Sequence, residues 1–243
     1  MADICTAYVL KGRVILNRRY WYVLLTYFAA YFSSLIGAPI LMGILRAATD
    51  LSDKQLITYA SVYWSVFSNL VAVIIIWMLL RKQPRTTKIE KGEPASVGKS
   101  VAYAVLGFVV LLFGQSISVF IMGLFGISGL SPNTEMLGEL ARAVPLMIVF
   151  TSILAPILEE IVFRKIIFGG LASRMNIHVA AVISSVFFGL MHMDLTFLLV
   201  YVVIGLILCY IYTKTKRIAV PIAAHMLMNV LAMVGQFMLG GGS

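Results

Sequence analysis

The sequence predicts an all-α fold: a polytopic membrane bundle of about seven spanning helices, eight at the upper count, with its ionisable side chains gathered inside the bilayer. Three observations predict it. Apolar residues make up 61% of the 243 and charged residues only 12%, with a mean hydropathy of +0.98, far too apolar for an ordinary soluble domain. Long, nearly charge-free runs recur along almost the whole chain, each near the roughly 20 residues needed to cross about 30 Å of hydrocarbon. The basic residues segregate to alternate connections.

The spacing of these runs predicts helices over 21–45, 57–80, 101–127, 144–172, 178–193, 195–213 and 218–239. The first exceeds a signal-peptide core, lacks a small-residue cleavage site and follows about twenty residues of mixed character, so it reads as a retained helix. The first two carry only scattered Ser, Thr, Asn and Tyr as polar groups and are expected to pack and anchor. Between 81 and 100, Pro84, Gly92, Pro94 and Gly98 stand among six basic and two acidic residues, which reads as a solvated cytoplasmic loop. Ser131-Pro132-Asn133-Thr134-Glu135 reads as a turn and helix start, with Ser131 or Asn133 as cap. The segment 178–213 must form two short helices with Asp194 at their junction; that hairpin is expected to stop short of the outer surface, and Asp194 reads as a polar turn residue. Three parts result: N-terminal helices and basic loop over 1–100, a helical core over 101–239, and a linker-like tail over 240–243.

The net charge of +9 could suggest a nucleic-acid partner, but its distribution argues for topology instead, and no nucleic acid is expected. With the N-terminus cytoplasmic, only Arg46, Lys54 and Arg142 of the nineteen basic residues fall outside the inner side or its approaches. That is the positive-inside bias of a plasma-membrane protein, and a basic inner face can hold anionic lipid or attract a peptide. Cys5 and Cys209 offer no spacing for a disulfide framework or a metal site.

Charges at mid-helix cost about 2.5–3.5 kcal/mol or more each and need partners or a wet cavity. Glu159 and Glu160 occupy such a position. Arg164 follows Glu160 by four residues and shares its helical face, whereas Glu159 points about 100° away. Glu160 is thus expected to be held by Arg164, leaving Glu159 free to face a reactant; a buried ion pair that only fixes packing is the plain alternative for Glu160 with Arg164. Pro156, one turn earlier, is expected to loosen the helix there. His192 ends the fifth run, four residues after Phe188, and His225 shares a face with Asn229. Counted at about 1.5 Å per residue from the inner ends, Glu159 and His192 lie roughly 20 Å deep, and His225 and Asn229 roughly 10 and 16 Å, so one layer two helical turns thick holds all four.

A carboxylate with an imidazole can activate water as general base, and an imidazole with a carboxamide can donate to an oxyanion. No Gly-x-Ser-x-Gly elbow, Cys–His pair or His-Glu-x-x-His helix competes with that division of labour. Zinc held by Glu159, His192 and His225 from separate helices is chemically open as well.

Glu159-Glu160-Ile-Val-Phe-Arg164, Phe188-Gly-Leu-Met-His192 and His225-Met-Leu-Met-Asn229 resemble, in order and without departure, the three motifs of the CPBP (CAAX protease and bacteriocin-processing, or Abi) family, which includes the type II CAAX prenyl endopeptidases. The resemblance covers about 145–229. It implies an intramembrane endopeptidase in which Glu159 and His192 activate water, His225 and Asn229 form the oxyanion hole, and Glu160 with Arg164 support them. It also implies a membrane-associated peptide or protein precursor as substrate, such as a bacteriocin, a quorum-sensing peptide or a CAAX-like chain. The family has been described both as metalloproteases and as glutamate proteases; the glutamate scheme, needing no cofactor, is the expectation here. A proton-coupled transporter and a non-catalytic peptide-binding immunity protein are the rival classes, distinguished by ion flux or by indifference to loss of Glu159.

Overall fold

The computed structural model describes residues 9–10, 13–14, 18–85 and 87–239; Cys5, Lys11, Thr86 and the tail at 240–243 lie outside them. After a two-residue antiparallel pair, Val9–Leu10 with Arg13–Val14, the described chain is helical. The helices are α1 (Arg18–Ala48), α2 (Asp53–Leu80), α3 (Val97–Leu124), α4 (Pro132–Ala143), α5 (Leu146–Ala172), α6 (Ile177–Leu190), α7 (Leu198–Thr215) and α8 (Ala219–Leu239). Six are long and apolar enough to cross a membrane, and α6 is a shorter apolar helix. All seven expected spans therefore fall on helices, with α4 as an additional amphipathic one.

Helix ends follow their caps. Ser52 Oγ accepts from the Gln55 N–H and the Ser52 N–H donates to Gln55 Oε1 in return, starting α2 four residues before the apolar run. Ser96 accepts from Lys99 N–H and starts α3 early. Ser131, one of the two expected caps, begins α4 by accepting from Thr134 N–H. The chain leaves α3 through Gly126 at φ +79°, so this helix ends at Leu124 and not at 127.

The helices pack as α1 on α2, α6 on α7, and α3 against α7 and α8, with α5 among them. At the first contact a Cβ on Gly37 would overlap the Trp64 indole, whose Nε1–H donates to Ser33 Oγ at 2.9 Å. The lipid-side faces keep their apolar side chains outward, as Leu25, Phe32, Leu35, Phe67 and Phe113 do.

One expectation is corrected by packing. The 81–100 loop is not simply solvated: Thr87, Ile89 and Glu90 are buried, and Ile89 packs against Phe168, Ala172, Cys209 and Tyr212. Glu90 pairs with Lys165 of α5 and accepts from the Thr87 N–H and hydroxyl, Lys88 N–H donates to Ser173 Oγ at 3.0 Å, and the Arg85 and Arg217 guanidiniums donate to the Lys216 and Ala95 carbonyls, both at 2.6 Å. The turn of proline, glycine and charge is thereby folded across one end of the bundle.

Candidate active site

Helix α5 brings the two glutamates to the centre, and its backbone is irregular on both sides of them. Residues Phe150–Leu154 and Glu160–Phe168 are π-helical, with the Ala155 N–H on the Phe150 carbonyl and the Gly169 N–H on Arg164. The Thr151 carbonyl then lacks its usual donor at Ala155, and the next residue, Pro156, has no N–H. Asn229 of α8 fills the gap, its Nδ2 donating to Thr151 O at 2.9 Å.

Glu160 and Arg164 are fully buried, with Arg164 Nε 3.1 Å from Glu160 Oε2 in a charge contact that is not an aligned hydrogen bond. The guanidinium lies over the Phe188 ring at 4.2 Å, its two terminal nitrogens without hydrogen-bond acceptors among the described residues. The other oxygen of Glu160 accepts from His225 Nδ1 at 3.0 Å. A carboxylate only accepts, so Nδ1 carries a proton, and Nε2 is turned to the cavity, 3.9 Å from Glu159 Oε2. The side chain of Glu159 is 18% exposed, on the cavity wall, whereas that of Glu160 is 0%. The single-residue step between them thus separates a carboxylate on the cavity wall from one buried against Arg164.

His192 is set by a turn. Its N–H and that of Met193 reach back only three residues, to Gly189 and Leu190, and Met193 then adopts φ +54°, reversing the chain. A non-glycine residue in that region costs about 1–2 kcal/mol, a strain tolerated where surrounding contacts fix the turn. His192 Nδ1 donates to the Phe188 carbonyl at 2.9 Å, which leaves Nε2 as the free, lone-pair nitrogen. Its ring stacks on Tyr201 at 4.0 Å and meets Phe188 edge-on at 4.7 Å.

Asp194 is more than the plain turn residue expected. It is buried, accepts from Phe197 N–H at 3.3 Å and from Ser131 Oγ at 2.5 Å, and Ser131 stands 3.0 Å from the Tyr201 hydroxyl. A carboxylate–serine–tyrosine chain therefore reaches the face of His192. The Tyr31 hydroxyl donates to the Met191 carbonyl at 3.0 Å. Periodicity could not disclose Tyr31, Tyr201 or Ser131, because each acts through a contact across more than 60 residues of chain.

Glu159, His192, His225 and Asn229 all line one cavity of about 910 Å³. Glu160 and Arg164 stand behind it. Tyr27, Tyr31, Ser34, Ser65 and Asn69 also line it, so the first two helices build the site as well as anchoring it. Among the described residues no three His, Cys, Asp or Glu side chains stand close enough to share one metal ion, so Glu159, His192 and His225 do not form a ready zinc site in this arrangement.

A helical membrane protein whose acid, imidazole and carboxamide groups meet in one intramembrane cavity is the class that fold and site define. A family model described as type II CAAX prenyl endopeptidase, Rce1-like, matches residues 141–231. The chain is 40% identical over 222 residues to a Bacillus subtilis (strain 168) protein named "Putative membrane peptidase YdiL", covering 91% of this chain and 90% of that one. It is 37% identical over 191 residues to the membrane-embedded CAAX protease MroQ of Staphylococcus aureus (strain USA300), covering 75% and 76%. The UPF0177 protein YxdF of Lactococcus lactis is 29% identical over 126 residues, 51% of this chain and 69% of that one. No solved structure gives a significant match. The chain belongs to the Rce1-like CAAX protease family of membrane endopeptidases.

Proposed function

We propose that the protein hydrolyses a peptide bond in a membrane-associated peptide or protein precursor by a glutamate mechanism, in a bacterial plasma membrane with its N-terminus cytoplasmic. The carrying observation is the chain Glu159···His225–Glu160–Arg164, which ends in a cavity that His192 and Asn229 also line.

Glu159 and the Nε2 lone pair of His192 take up the proton of a water as its oxygen attacks the scissile carbonyl carbon. His225, its Nδ1–H on Glu160, donates from a protonated Nε2 to the developing oxyanion, and the second N–H of Asn229, the first being held by Thr151 O, donates beside it. Collapse of the tetrahedral intermediate breaks the C–N bond, and the proton held by Glu159 or His192 passes to the leaving amine. Glu160 and Arg164 fix the tautomer and tilt of His225 without touching substrate. The buried Glu160–Arg164 pair and the two imidazoles held through Nδ1, both lining the cavity, support this reading.

The test uses the purified full chain in detergent with candidate precursor peptides and mass spectrometry of the products. Cleavage that survives stringent chelation and disappears in Glu159→Gln is expected. Loss on chelation with rescue by zinc overturns the glutamate mechanism, and ion flux without cleaved product overturns the peptidase reading.

A further inference from the structure

The cavity has a side, and so does the charge. Apart from the helix-interior residues, its lining comes from Gly129 to Leu137, Met191 to Met193 and Phe197, all at one end of the bundle. No lining residue falls between 70 and 114, 164 and 187, or 205 and 224, which together carry the other end. That other end holds Arg81, Lys82, Arg85, Lys88, Lys91 and Lys99, with Arg174, Lys214, Lys216 and Arg217, and it is closed by the buried segment Thr87, Ile89 and Glu90 clamped on Lys165 and Phe168. At the cavity end the basic residues are Arg46, Lys54 and Arg142 against Asp50, Asp53, Glu135, Glu139 and Asp194.

Positive charge marks the cytoplasmic side. We infer that the site opens away from the cytoplasm, and that its substrate is a neutral or cationic peptide presented at the outer face after translocation. This rests on the peptidase reading above. The basic inner face, which charge alone suggested as the place where a peptide gathers, is the sealed end. Export must therefore supply the substrate, and cleavage follows it. The charge of the expected peptide comes from the lining: among the described residues no Lys or Arg borders the cavity, Glu159 stands in its wall, and acidic residues outnumber basic ones around its mouth. An acidic residue beside the scissile bond would meet Glu159 and an acidic rim with no Lys or Arg in the described lining, whereas a basic one is drawn in, more strongly at low salt.

The experiment has two readouts on the full chain expressed in bacterial cells. A membrane-impermeant maleimide is applied to intact spheroplasts carrying Met136→Cys, exposed at the mouth, or Lys88→Cys, exposed at the sealed end, each in a Cys5→Ala background with Cys209 retained because it is buried. Labelling of Met136→Cys and not of Lys88→Cys is expected, and the reverse pattern overturns the inference. A quenched fluorescent peptide with lysines flanking the cleavable bond is then given to spheroplasts, to inverted vesicles and to detergent-solubilised protein. Cleavage in spheroplasts and detergent but not in inverted vesicles is expected, with at least a tenfold loss when the lysines become glutamates. Cleavage in detergent and inverted vesicles alone overturns the outward mouth and leaves the peptidase reading standing. No cleavage in any preparation counts against the peptidase reading, and the labelling pattern still decides which way the cavity faces.

Discussion

Two carboxylates adjacent in sequence should fail in opposite ways when altered. Arg164→Met leaves Glu160 buried without its arginine, in contact with the His225 Nδ1–H. Breaking a buried pair by removing one partner costs about 3–5 kcal/mol, because an uncompensated charge stays in a low-dielectric place. At about 1.4 kcal/mol per tenfold, the folded-to-unfolded ratio should fall by roughly two to three and a half orders of magnitude. Adding Glu160→Gln to Arg164→Met removes the stranded charge and should recover much of that loss. Glu159→Gln changes a partly exposed side chain on a cavity wall, so its stability cost should stay within about 0.5 kcal/mol, while loss of a general base lowers turnover by about 10²–10⁴-fold. Denaturant unfolding in mixed micelles, read alongside peptide cleavage, measures both. A cost below about 1 kcal/mol for Arg164→Met, or equal destabilisation by Glu159→Gln, refutes the separation into scaffold and reactant carboxylates.

Other substitutions test the frame around the site. A Cβ on Gly205 of α7 would stand 2.7 Å from the Cβ and 3.0 Å from the Cα of Ser185, so Gly205→Ala should destabilise by about 1–3 kcal/mol, whereas Gly43→Ala, with nothing within 4 Å, should be neutral or slightly stabilising; paired unfolding curves compare them. Burial pushes the Glu90 carboxyl up, but the Lys165 ammonium and the Thr87 bonds outweigh it and hold the group below its ordinary value of 4.5. A carboxylate depressed on folding lends stability above that value and loses it as pH falls through the lowered one, so protease sensitivity of the 81–96 segment should rise only below about pH 4.5 and lose this pH dependence in Glu90→Gln. Pro156→Ala restores an N–H facing the Thr151 carbonyl; it should stabilise α5 by up to about 3 kcal/mol yet lower kcat, as Asn229 loses its anchor.

Much of this arrangement is legible in the sequence because the bilayer leaves few choices. Apolar length fixes the spans, and the cost of charge at depth singles out Glu159, Glu160, Arg164, His192 and His225 as residues that must meet something. Helical spacing then distinguishes Glu159 from Glu160, and counting residues from the basic ends places both histidines in the same layer. Three things are not readable that way. The 81–96 segment has the composition of a solvated loop, and the burial of Thr87, Ile89 and Glu90 within it goes with Lys165, 75 residues away, meeting Glu90. His225 is read from its neighbour Asn229, yet the bond that fixes its tautomer is to Glu160 on another helix. Tyr201 and Ser131 are ordinary membrane-helix and cap residues until Asp194 and His192 are brought against them. Each omission is a long-range polar contact, which periodicity does not encode.

The irregular backbone of α5 accounts for why these contacts can form at all. A regular helix satisfies every carbonyl internally and offers a neighbouring helix only side chains. With Ala155 N–H turned to Phe150 O and no N–H on Pro156, the Thr151 carbonyl becomes an acceptor that α5 itself cannot satisfy, at a depth where water is scarce. Asn229 is the donor within reach, and the same helix carries His225 one turn earlier, so that one bond sets the height of α8 against α5. His225 then meets Glu160 with one nitrogen and the cavity with the other. A proline that reads as a defect in α5 therefore fixes the register between the helix of carboxylates and the helix of donors. Its position four residues before Glu160 follows from that, since a register set one turn away in either direction would move His225 by about 5.4 Å along the axis and break its bond to Glu160.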